Sequence, residues 1–126
     1  MHARQLLHVV SGVVILGLLA TASTGAINHR RTTYFTLSHA VQIPGVSLPA
    51  GIYVFETPSE NTLNLVRVTS RDRSQVYLTA FTRIVERPAA SRLDAVITFG
   101  ETAANTPPRI DVWYPQGERA GRQFIY

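Results

Sequence analysis

The chain reads as an all-β protein, a single antiparallel β-sandwich or small barrel of about six to eight strands preceded by a helical signal peptide. Three observations predict this. From Thr32 onward, short runs of β-branched, apolar and aromatic residues alternate with clusters of Gly, Pro, Asn, Asp and Ser at intervals of about 8 to 14 residues. No stretch of that region sustains a helical 3.6-residue period. Ahead of it, a cationic start, an apolar run and a small-residue exit follow one another as they do in an export leader.

The leader comes first. "MHARQ" supplies the positive start, "LLHVVSGVVILGLLA" an apolar run without a carboxylate, and "TASTGA" the small residues. The cut falls after Ala22, reading Ala20-Thr21-Ala22 as the A-x-A-like site, or after Ala26, reading Thr24-Gly25-Ala26. Ala26 is preferred, which makes residues 1–26 the signal peptide. Uncleaved, Leu6 to Ile27 approaches the roughly 20 apolar residues of a bilayer span and becomes an anchor, although Gly12, Gly17 and the polar run Thr21 to Thr24 weigh against it. Either way the chain is exported, to the periplasm, the cell surface or the medium, and it meets a membrane only through this segment. Residues 27–33 read as a flexible polar arm and 34–126 as the β domain. About a hundred residues suffice for one core. The chain has no cysteine, so that core must hold without a disulfide.

The strands follow in order. "TTYFTL" (Thr32 to Leu37) is rich in β-branched and aromatic side chains and reads as the first. "HAVQI" continues or re-enters the sheet, and Pro44-Gly45 fits the central positions of a type II turn. After the short "VSL", Leu48-Pro49-Ala50-Gly51 turns the chain again. This second turn leads into "IYVFE", whose apolar groups on both faces predict a strand covered on both sides. "TLNLVRVT" changes its buried register near Leu65-Val66, which predicts a bulge there. "SRDRS" is a hairpin turn. "QVYLTAFTRIVE" is the longest strand candidate, ended by Pro88. "DAVITFGE" and "RIDVWYP" follow, "QGERAG" turns, and "RQFIY" closes the chain as a terminal strand.

Chemistry-bearing residues are sparse. A zinc site needs three or four protein ligands, and past the leader only His29 and His39 remain, with no cysteine beside them. His39 reads as a surface or sheet-edge histidine. There is no G-x-S-x-G elbow and no glycine-rich phosphate loop. No metal, cofactor or catalytic residue is therefore assigned. All twelve basic residues are arginine, with no lysine, and they are scattered among eight carboxylates. A net charge of +4 without a basic stripe does not describe a nucleic-acid partner.

The segment "WYPQGERAGRQFIY" stands out. It sets Trp113, Tyr114 and Tyr126 around a loop carrying Arg119 and Arg122, the residue types that stack on sugars and grip anionic groups. These five form the candidate ligand-contact surface. The reading preferred over it makes Trp113 and Phe124 core residues of adjacent strands, since a β domain of this size needs large side chains to fill its core.

"VQIPGVSLPAGIYVF" and "WYPQGERAGRQFIY" resemble a family of small, largely uncharacterised exported proteins of soil bacteria. Those proteins carry I-P-G, then L-P-A-G-x-Y-x-F, and end in W-[YF]-P-x-G…G-x-x-F-x-Y. The resemblance covers about Phe35 to Tyr126 and implies an exported β domain with no catalytic residue to carry over. Gly51 and Tyr53 match as fold residues. Gln116 departs, standing where the family often has glycine, so the turn is expected to shift to Gly117. The chain is thus expected to be a non-enzymatic binding or structural module of the cell envelope, facing a polysaccharide or a protein. The alternative is a carbohydrate-active hydrolase or isomerase that uses two carboxylates among Glu56, Glu86, Asp94, Glu101 and Asp111.

Overall fold

A computed structural model describes residues 20–24, as backbone, together with 32–89 and 92–126. Eleven short strands appear there: β1 (Ala20–Thr24), β2 (Thr32–Leu37), β3 (Val41–Ile43), β4 (Val46–Leu48), β5 (Gly51–Glu56), β6 (Leu65–Ser70), β7 (Val76–Phe81), β8 (Arg83–Glu86), β9 (Val96–Phe99), β10 (Ile110–Tyr114) and β11 (Ala120–Gln123). They form one sheet in the order β1-β2-β5-β6-β7, a second in the order β8-β11-β10-β9, and the separate hairpin β3-β4. Every ladder between these strands is antiparallel.

The all-β class is as the sequence predicts, with the chain divided more finely. The leader up to residue 19 and most of the polar arm lie outside the described residues. Thr32 and Thr33, at the end of that arm, belong to β2.

The two turns opening the domain behave as their residues dictate. Gly45 takes φ 79 between β3 and β4, the positive φ that the third position of a type II turn requires. After the second turn, Tyr53 donates its hydroxyl to the Pro49 carbonyl at 2.7 Å. The tyrosine of L-P-A-G-x-Y thereby fastens the turn that delivers its own strand. Burial follows on both faces of β5, where Tyr53, Val54, Phe55 and Glu56 are all buried.

Three expectations need correction. The long strand 75–86 breaks at Thr82, because the chain changes sheet there. Thr82 is buried and turns both its N–H and its hydroxyl to the Asn64 carbonyl, at 2.8 and 2.7 Å, instead of to a ladder partner. The expected bulge at Leu65-Val66 is not found; β6 simply begins at Leu65, and the register shift lies between Val68 and Thr69. The last strand is Ala120–Gln123 rather than "RQFIY". Gly121 permits this, since a Cβ on it would meet the Tyr114 ring at 2.5 Å.

The core lies between the two sheets and is closed at one end by the β3-β4 hairpin. Phe55 from the first sheet is fully buried and meets Phe35 edge-on at 5.2 Å, and from the other layer Trp113 at 6.0 Å and Phe124 at 6.3 Å. Such pairs add about 0.5–1.5 kcal/mol each beyond the area they bury. The buried Trp113 indole still needs an acceptor, and Thr33 Oγ1 supplies it at 3.3 Å. That bond ties β10 to β2 across the sandwich.

Candidate functional site

The five residues singled out from the C-terminal segment do not form one surface. Trp113 has no exposed area, and Arg122 is 1% exposed. Trp113 is thus a core residue. Arg122 works inside the fold: its Nε donates to the Leu63 carbonyl at 2.9 Å, Nη1 to the Ala120 carbonyl at 2.9 Å, and Nη2 faces Glu118 Oε1 at 3.5 Å. It links the turn before β6 to β11.

Arg119 and Tyr114 belong to a second framework centred on Arg87, which the sequence reading passed over. Arg87 is 4% exposed. Its Nε donates to the Glu118 carbonyl at 2.9 Å, Nη1 to the carbonyls of Arg92 and Asp94 at 3.0 and 2.9 Å, and Nη2 to that of Pro115 at 2.8 Å. The guanidinium also lies over the Tyr114 ring, 4.9 Å from its centroid. Burial, and then the neighbouring Arg119 cation, draw its pKa below the ordinary arginine value. Arg119 returns the clamp by donating to the carbonyls of Arg87 and Pro88 at 3.2 and 2.9 Å. Between them, two arginines hold the chain after β8 against the turn at Pro115–Glu118. That turn places Gly117 at φ 79. A shallow depression of about 420 Å³ lies beside this framework, lined by Ile84, Val85, Glu86, Arg119 and Ala120.

Tyr126 is in a different place. Its ring is half exposed, but its hydroxyl is turned inward, shared between the Ile110 carbonyl at 2.6 Å and the Gln42 carbonyl at 2.9 Å. Burial pushes the phenol well above its ordinary pKa, with Arg109 pulling the other way. Arg109 stands over the ring at 4.8 Å. The two residues meet because the β3-β4 hairpin docks on the chain entering β10. Gln42 donates its backbone N–H to the Pro108 carbonyl and its side-chain amide to the Pro107 carbonyl, each at 2.8 Å. Around this junction runs a second cleft, slightly smaller and just as shallow, of about 370 Å³, lined by Gln42, Ile43, Gly45, Val46, Ser47, Arg109 and Tyr126. Pockets for small ligands fall in the range of about 300–1,000 Å³.

The chemistry available there is a grip on an anion. Arg109 is exposed, and among the described residues no carboxylate lies within ion-pair distance of it. Its planar fork presents parallel N–H donors that fit a carboxylate two at a time. The guanidinium lies over the tyrosine ring, and the exposed Ser47 lines the same cleft. Sequence reasoning named Tyr126 and missed Arg109. Its only local signal, a Pro-Pro-Arg run leading into a strand, resembles an ordinary loop.

Several other ionisable groups are engaged elsewhere, while Glu86 and Glu101 are exposed. Glu56 is 7% exposed and held by Arg67 at 2.9 Å and Arg73 at 3.2 Å. Asp111 accepts from Gln123, and Asp94 faces Arg92 at 3.5 Å on the surface. His39 is exposed and bonded to the neighbouring Ser38 hydroxyl. Among the described residues no group of three or more His, Asp or Glu side chains could hold a metal ion. Compared with protein-family models, curated proteins and solved structures, the chain matches none.

Proposed function

We propose that this protein is an exported, non-enzymatic β module that binds in the cell envelope, with the Arg109–Tyr126 cleft as its contact surface and an acidic polysaccharide as its partner. One observation carries the reading. A guanidinium over a tyrosine ring lines a cleft with no carboxylate among the described residues paired to it, while Arg87, Arg119 and Arg122 are engaged with backbone carbonyls. A sugar bearing a carboxylate offers such a site both a charge for the fork and hydroxyls for Ser47 and the cleft backbone.

Co-sedimentation with an insoluble uronic-acid polymer, and with the same polymer after its carboxyl groups are reduced, tests this. The wild-type protein should pellet with the first, less so at high salt because exposed charges are screened. Arg109→Ala should stay in the supernatant. Retention on neither polymer would refute the reading, and new reducing ends in the incubated polymer would shift it to the hydrolase alternative.

A further inference from the structure

The edge of the first sheet is closed by the segment that the sequence marks for removal. β1 pairs with β2 over five consecutive positions, from Ala20↔Leu37 to Thr24↔Thr33. A cut after Ala26 removes the whole of β1, and a cut after Ala22 leaves only Ser23 and Thr24 of it. β2 keeps β5 on its other side, so loss of β1 exposes one row of its backbone N–H and C=O groups. That row runs beside Phe35 and Leu37, each 1% exposed.

The chain cannot re-cover this edge by itself. After a cut at Ala26, residues 27–31 precede β2. A tight hairpin uses about two residues in its turn, which leaves about three to pair with a strand of six. The strand also lacks the devices that blunt an edge: "TTYFTL" has no charge, proline or glycine. Facing a copy of itself, it sets Thr and Tyr against Thr and Tyr, with no like-charge repulsion.

We propose that leader processing uncovers β2 and that the vacated edge takes β2 of a second copy, antiparallel about a two-fold axis. The two β2-β5-β6-β7 sheets then become one continuous sheet, and the contact is isologous. In the unprocessed chain β1 occupies the same edge and keeps the protein monomeric. The leader's last residues thereby act as a guard that is removed together with the leader. This rests on the export reading for the cut, and on nothing in the cleft.

The full chain, exported by a bacterial host, tests it. Intact mass gives the N-terminus, and sedimentation gives the mass in solution. The processed product should sediment at twice its chain mass. Excess synthetic peptide of residues 19–25 should halve that mass by occupying β2. Thr36→Lys, an exposed position on β2, should abolish the dimer with an unchanged circular dichroism spectrum, while Thr79→Lys on β7 should leave it intact. A monomeric processed product, a dimer indifferent to peptide and to Thr36→Lys, or a dimer lost in Thr79→Lys overturns the inference. So does a secreted product that keeps residues 20–24, an outcome that leaves the cleft reading standing. A processed dimer that binds no polysaccharide does the reverse.

Discussion

Arg87 and Arg109 are alike in their sequence neighbours and in their tyrosine partners, and opposite in use. Each sits beside a proline, in "ERP" and "PPR", and each lies over a tyrosine ring, at 4.9 Å from Tyr114 and 4.8 Å from Tyr126. Arg87 is enclosed by four carbonyls from the loop after β8 and the turn before β11, and it serves the fold. Arg109 meets an open cleft and, among the described residues, no such ring of acceptors. The tyrosine therefore does not mark function. What matters is whether carbonyl oxygens converge on the guanidinium.

Removing a guanidinium should separate the two regions most sharply. Arg87→Met orphans buried carbonyls and is expected to cost about 3–5 kcal/mol, read as a lower urea midpoint. Arg87→Lys should recover only part, because three donors on one nitrogen cannot reproduce the fork. Arg122→Met, which leaves the carbonyls of Leu63 and Ala120 without their donor, should cost about 2 kcal/mol. If either change proved neutral, the division between framework and cleft arginines would fail.

Changes at the cleft should be milder in stability and larger in binding. Tyr126→Phe loses the hydroxyl bonds to Ile110 and Gln42 and is expected to cost about 1 kcal/mol. Arg109→Ala should shift stability by no more than about 0.5 kcal/mol while retention on the uronic-acid polymer is lost. Both are measured on one set of samples, by denaturation and by co-sedimentation.

The smallest effect concerns an exposed group that does have partners. Asp72 accepts from the Ser74 N–H at 3.0 Å and from the hydroxyls of Ser74 and Ser70 at 2.7 and 2.9 Å. These bonds lower its pKa from 3.8 to about 2, the Ser74 backbone N–H acting most strongly. A depressed folded-state pKa stabilises the protein fully above 3.8, and that contribution is lost as pH falls toward 2. Asp72→Asn should therefore slightly lower the melting temperature at neutral pH, and the difference from wild type should shrink below pH 3.8.

Much of the fold was legible in the residues. "TTYFTL" became β2 with the bounds its composition suggested, and "IYVFE" became a strand buried on both faces. The break at Thr82 was not legible, because Val76, Leu78, Ala80 and Ile84 share one face of an alternating pattern and the β-branched Thr82 between them suits a strand. What interrupts it is the carbonyl of Asn64, 18 positions earlier. The strand at Ala120–Gln123 was hidden for a similar reason. "RAG" looks like a turn until the Tyr114 ring is seen lying across Gly121. Of the candidate surface, Tyr126 kept an exposed ring in a cleft, while Trp113 and Arg122 went inside.

By itself the sequence determined the β class, the tight turns at Pro44-Gly45 and Gly117, and the supply of large side chains for the core. Strand alternation and turn preference act between near neighbours, so they can be read in one dimension. Only the tertiary structure decided which arginine became a strut and which stayed available. A guanidinium takes its role from acceptors far along the chain, Pro115 lying 28 positions from Arg87 and Leu63 lying 59 from Arg122, and those meet it only when the sheets close.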